Sequence, residues 1–140
     1  MMNLIDTLVR HEGLRRLAYE DSVGVLTIGV GRNIEEVGLS DDEIYYLLKN
    51  DIRRCETELD NVFRWYKDLD QVRQEAMINL CFNLGITKLR KFKLALRSME
   101  VKDYEDAADE FLDSLWATQV GQRAVEVTYM IRFGEYYAKS

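Results

Sequence analysis

Apolar residues recur at helical spacing along most of the chain, with one interruption near the start. Leu4, Ile5, Leu8 and Val9 follow the i, i+3, i+4 rhythm, and Gly13 stands where such a helix would stop. Residues 17–33 break the rhythm. Val23-Gly24-Val25-Leu26-Thr27-Ile28-Gly29-Val30-Gly31 is rich in β-branched residues and glycines, the pattern of a small hairpin sheet. Ser40 and Glu43 then form a capping box, with Asp41 and Asp42 suited to the positive end of a helix. Ile44, Leu47, Leu48, Ile52, Cys55, Leu59 and Val62 make one long apolar stripe after it. Asp70 can cap a further helix that is apolar nearly all round through Leu84, which predicts a central position in the core, and Gly85 ends it. Shorter helices are predicted near 88–98, 103–114 and 122–137.

The predicted class is α+β, mainly helical. A small β-hairpin lobe is joined by a long linking helix to a helical lobe within one domain, 1–140. About 13–60 form the small lobe and linking helix, and 1–12 with 61–140 form the helical lobe. No linker, repeat or proline interrupts the 140 residues. Composition agrees with a globular chain, at 47% hydrophobic and 31% charged.

Charge is uneven. Residues 1–60 hold 7 basic and 13 acidic side chains, so the whole net charge of −6 resides there. Such a balance argues against nucleic acid as a partner, since phosphate neutralisation supplies most of that affinity. A local exception is the basic run of Lys88, Arg90, Lys91, Lys93 and Arg97, either a solvated face or a contact for an anionic polymer. No run of about 18 apolar residues predicts membrane insertion, and the charged start lacks the apolar core of an export signal. His11 is the single histidine, which removes histidine-rich metal sites. Cys55 and Cys81 lie in apolar helical patterns and read as buried thiols. No metal and no cofactor is expected.

Glu12 ends the first predicted helix, and Asp21 and Thr27 follow in the hairpin segment. A carboxyl at a helix end facing one on a hairpin suits glycoside hydrolysis. One group protonates the leaving oxygen, and the other activates water or attacks the sugar. A lone Glu–Asp pair is otherwise an ordinary pair of solvated charges, and Thr27 an ordinary strand former.

The longer string is more specific. His11-Glu12-Gly13-Leu14-Arg15, then Tyr19-Glu20-Asp21, then Gly24-Val25-Leu26-Thr27-Ile28-Gly29-Val30-Gly31 resembles the phage-type lysozymes of glycoside hydrolase family 24, the T-even phage muramidases. Asp70–Arg73, Ala76–Asn79, Phe82–Gly85, Ser114–Gln119 and Gln122–Ala124 resemble later parts of that family in the same order. The resemblance implies cleavage of the β-1,4 bond between N-acetylmuramic acid and N-acetylglucosamine in peptidoglycan. It implies Glu12 as general acid, Asp21 as base for the attacking water, and Thr27 as the residue that positions that water. Arg123 would support Glu12, and Asn33 and Phe82 would bind substrate. Arg123 also reads as a plain surface residue, and Phe82 and Trp116 as core aromatics.

This sequence departs from the family pattern after the hairpin, where Arg32–Leu39 leads directly to the Ser40 cap. Arg32 replaces a histidine there. The expected setting is a monomeric endolysin made in a host cytoplasm without a signal peptide. It would be released by a separate pore-forming, holin-type protein and would act on peptidoglycan glycan strands in the periplasm. The alternative is a non-catalytic lysozyme-fold module that binds wall glycan or a partner protein.

Overall fold

The computed structural model describes residues 3–138. Among these, eight α-helices and one three-stranded sheet form in the order α1 (Leu4–Glu12), β1 (Arg15–Glu20), β2 (Leu26–Gly29), β3 (Arg32–Asn33), α2 (Asp41–Val62), α3 (Gln71–Leu84), α4 (Ile86–Leu89), α5 (Lys93–Glu100), α6 (Tyr104–Leu112), α7 (Leu115–Val120) and α8 (Gln122–Phe133). The α+β, mainly helical class read from the sequence is the class observed.

Two compact units divide the chain, residues 1–47 and 48–140. The boundary falls inside α2, and α1 groups with the sheet. The local reason is visible in the first unit. Only Gly13 and Leu14 separate α1 from β1, and the Glu12 side chain lies against Gly31 in the turn between β2 and β3.

Within the first unit, Asn3 caps α1 by accepting from the Asp6 amide at 2.9 Å. Gly13 then stops the helix at φ +79°, a region where side chains are strained. The antiparallel sheet runs β1-β2-β3. Tyr19 pairs with Thr27 and Thr27 with Asn33, and a bulge between Arg15 and Tyr19 shifts the β1 register. Thr27 is therefore on the central strand, with neighbours on both sides.

The short segment after the sheet is closed by charge. Arg32 grips Glu43 through two hydrogen bonds, Nη1 to Oε1 at 2.9 Å and Nη2 to Oε2 at 2.6 Å, and gives a third to the Gly38 carbonyl at 3.0 Å. Glu43 also accepts from the Ser40 amide at 2.8 Å, and the Ser40 hydroxyl accepts from the Glu43 amide at 3.3 Å, completing the capping box. The Arg32 fork, then the Ser40 donors, hold the Glu43 carboxyl down to about 2 from an ordinary 4.5. The folded pKa lies below the unfolded one, so this stabilisation is full above about 4.5 and is lost as pH falls towards 2. Glu43→Gln is expected to flatten the decline of melting temperature between pH 5 and 2. An acid limb as steep as the parent's would contradict this.

In the second unit the core gathers Leu59 of α2, Met77 and Leu80 of α3, Leu89, Met99, Phe111 and Ile131, all fully buried. Asp70 caps α3 as expected, accepting from the Arg73 amide at 3.2 Å, and Gly85 ends it at φ +80°. The Arg73 guanidinium lies 3.7 Å from the centre of the Tyr104 ring and donates to the carbonyls of Ile131 at 2.6 Å and Arg132 at 3.1 Å. It thereby satisfies the open C-terminal end of α8.

The stripe on α2 is buried only at Cys55 and Leu59, while Ile44 and Leu47 are exposed. Three sequence expectations are corrected by the fold. The predicted helix at 88–98 is two helices, because Leu89 turns into the core and the chain reverses through Arg90–Phe92. The predicted 103–114 ends at Leu112, and Ser114 caps a separate six-residue helix, α7, by accepting from the Ala117 amide. The predicted 122–137 ends at Phe133, where Gly134 adopts the left-handed conformation, φ +66°. Among the described residues no helix is long and apolar enough to cross a membrane.

Candidate active site

Four of the residues singled out by the sequence, Glu12, Asp21, Thr27 and Asn33, come from one short stretch of the first unit. Glu12 is the last residue of α1, and its carboxylate is exposed at the helix end. A Cβ built on Gly31 would lie 2.8 Å from Glu12 Oε2 and 3.1 Å from its Cγ. The carboxylate thus rests on bare backbone, at φ +64°, in the turn between β2 and β3. A residue with a side chain would push it away.

Asp21 leaves β1 at the start of a turn whose Gly24 amide donates to the Asp21 carbonyl at 3.0 Å. One carboxylate oxygen, Oδ1, accepts from the amides of Val23 and Val25, both at 2.9 Å. These two bonds fix the side chain as an Asx turn does and leave Oδ2 free to accept a proton from water. Thr27 is buried at 4% exposure, and its hydroxyl donates to the Val25 carbonyl at 2.9 Å. With that hydrogen committed, the Thr27 oxygen is left as an acceptor. Asn33, opposite Thr27, uses its Oδ1 to accept from the Glu36 amide at 3.0 Å, so only its NH₂ remains for a ligand.

Arg123 and Phe82 belong to the second unit. Arg123 is in the first turn of α8 and donates through Nε to Asn79 Oδ1 at 2.8 Å and through Nη2 to the Asn79 carbonyl at 3.4 Å. It is half-buried and held by a specific partner. Asn79 is the residue that sequence reasoning did not single out, because its partner lies 44 positions away. Phe82 is 46% exposed and, with Leu48, Ile52, Ile78, Asn79 and Arg123, lines a cavity of about 440 Å³. Its expected alternative as a core aromatic is thereby corrected. Trp116 does take the core reading: it is 5% exposed, and its indole donates to Asn83 Oδ1 at 2.7 Å.

A mainly helical α+β chain with a helix-end glutamate, a capped hairpin aspartate and a buried strand threonine has the make-up of a lysozyme-type glycosidase. Comparison with known proteins gives the family. The model of the phage lysozyme family matches residues 9–128, so the chain belongs to that family and is a peptidoglycan hydrolase of the lysozyme class. It is 34% identical to the endolysin of Salmonella phage P22, over 81% of this chain and 80% of that protein. It is 27% identical to probable T4-type lysozyme 1 of Dictyostelium discoideum, over 92% and 93%. A third relative is the pre-baseplate central spike protein Gp5 of Enterobacteria phage T4, 28% identical over 95% of this chain but only 28% of that protein.

Proposed function

We propose that the chain is an N-acetylmuramidase of the T-even type, cleaving the β-1,4 bond between N-acetylmuramic acid and N-acetylglucosamine. The observation that carries this reading is that Val25 holds both groups: its amide fixes the Asp21 carboxylate, and its carbonyl takes the hydrogen of the Thr27 hydroxyl, which leaves the Thr27 oxygen to accept. A water donating one hydrogen to Asp21 Oδ2 and the other to Thr27 Oγ1 has a lone pair left to attack the anomeric carbon. Glu12, as the acid, gives its proton to the glycosidic oxygen as that bond breaks, and Asp21 takes the proton from the water. The sum is one water added across one glycosidic bond, with inversion when the attack comes from the face opposite the leaving group. Asn33 and Phe82 contribute a polar and an aromatic contact to the sugars, and Arg123 has a supporting role.

The chain acts in this reading as a monomeric phage endolysin without a cofactor, reaching periplasmic peptidoglycan through a holin-type pore. Purified peptidoglycan digested with the chain should yield fragments whose new reducing ends are N-acetylmuramic acid. Reducing ends on N-acetylglucosamine, or none, would overturn the assignment. Thr27→Val, which keeps the shape and removes the acceptor, is expected to lower the rate about tenfold, the effect of one lost hydrogen bond of roughly 1.4 kcal/mol in the transition state. An unchanged rate would remove Thr27 from the site.

A further inference from the structure

The second unit holds a side-chain cluster that the proposed hydrolysis does not use. Cys55 and Glu58 lie three positions apart on α2, and Cys81 faces them from α3. The two Sγ atoms and a Glu58 carboxylate oxygen all lie within 4.8 Å of one another. Both thiols are buried, Cys55 at 5% and Cys81 at 2% exposure, whereas Glu58 is half-buried and opens the cluster towards solvent. Among the described residues Glu58 takes part in no ion pair and no side-chain hydrogen bond. We propose that Cys55, Cys81 and Glu58 bind a thiophilic divalent cation of the zinc class.

The chemistry of the donors selects the ion. Thiolates favour zinc and its heavier congener cadmium over magnesium or calcium, which take oxygen ligands. A tetrahedral zinc with Zn–S bonds of about 2.3 Å requires sulfurs about 3.8 Å apart, so a cluster spanning at most 4.8 Å closes with side-chain adjustments of about 1 Å. Three protein ligands leave the fourth position to water, on the side where Glu58 meets solvent.

Without an ion the arrangement is electrostatically poor. Burial pushes the Cys81 thiol up to about 12, and the nearby Glu58 carboxylate adds to the cost of forming either thiolate. A divalent cation reverses both effects. Two thiolates and one carboxylate carry −3 against +2, and the nearby Arg54 guanidinium, which favours the thiolates, is itself paired with Asp51 at 2.9 Å, so the occupied site keeps one net negative charge. Binding displaces both thiol protons to solvent, with no change of oxidation state, and tethers α2 to α3. The single-histidine composition hides such a site from a search for histidine-rich ligand sets.

The test is titration of the full-length reduced protein with cadmium and with zinc. One equivalent of cadmium should produce the ultraviolet thiolate-to-cadmium band, release two protons, and be displaced by excess zinc. Zinc should raise the melting temperature of the parent. Cys55→Ser and Cys81→Ser should lose the band. Glu58→Gln should keep the fold and weaken cadmium binding at least about tenfold, since loss of even an outer-shell partner costs roughly 10–100-fold in affinity. Glu58→Gln decides the matter alone if the serine variants do not fold. The proposal is overturned by absence of the band while two thiols titrate in the unfolded chain. It is overturned equally by unchanged affinity in Glu58→Gln, or by a chain that oxidises to a disulfide and binds no ion.

Discussion

Glu12→Gln lowers the rate of peptidoglycan hydrolysis by about 10²–10⁴-fold, the usual contribution of a general acid, with little change in melting temperature. The size follows from the chemistry. The leaving sugar hydroxyl is a poor leaving group unless its oxygen is protonated as the bond breaks, and glutamine has no proton to give. The absence of a stability effect follows from position. Glu12 is the last residue of α1, is exposed, and has the backbone of Gly31 against its carboxylate. Glutamine keeps the length and branching, so neither the helix stop at Gly13 nor the turn at Gly31 is disturbed. The release of new reducing ends per unit time, compared at matched concentration with circular dichroism of both proteins, reads the two effects separately. A variant retaining more than about a tenth of the parent rate would mean that protonation of the leaving oxygen comes from elsewhere.

How far such a site can be read from the chain depends on sequence distance. Glu12, Asp21 and Thr27 fall within 16 residues, and the groups that hold them are closer still. Val23 and Val25 cap Asp21 from two and four positions away, and Val25 takes the Thr27 hydrogen from two. Local motifs therefore carry the residue types and their order. The capping box at Ser40 and Glu43 and the Asp70 cap are legible for the same reason, since each closes within three residues.

Contacts across the chain leave no such mark. The hold of Asn79 on Arg123 spans 44 positions, and the fork between Arg32 and Glu43 joins a strand to a helix across a segment with no regular pattern. Short helices were obscure for another reason. The six residues of α7 give fewer than two turns, too few to establish a period, and the break at Arg90–Phe92 contains neither Gly nor Pro. The exposed part of the α2 stripe shows the converse. Periodicity marks the face that can be buried, and Ile44 and Leu47 are on that face without being covered.

Gly31→Ala is expected to cost more in activity than in stability, and the inequality tests whether the Gly31 turn sets the position of the acid. The added methyl meets two obstacles. The backbone at φ +64° is strained for an L-residue by about 1–2 kcal/mol, and the new Cβ would stand 2.8 Å from Glu12 Oε2. Carboxylate tips are easily turned, so the clash is relieved by moving Glu12 rather than by distorting the sheet. That relief is cheap for folding and damaging for proton transfer. A displacement of about 1 Å in a catalytic group lowers a rate by roughly 10²-fold, against a stability loss confined to the backbone term. Gly13→Ala is the control. Its φ of +79° is similarly strained, but no atom beyond its two chain neighbours lies within 4 Å of the added Cβ, so it should lose comparable stability and retain far more activity. Equal losses of activity in the two variants would place the effect in the backbone strain common to both, and the Gly31 turn would then have no particular hold on Glu12.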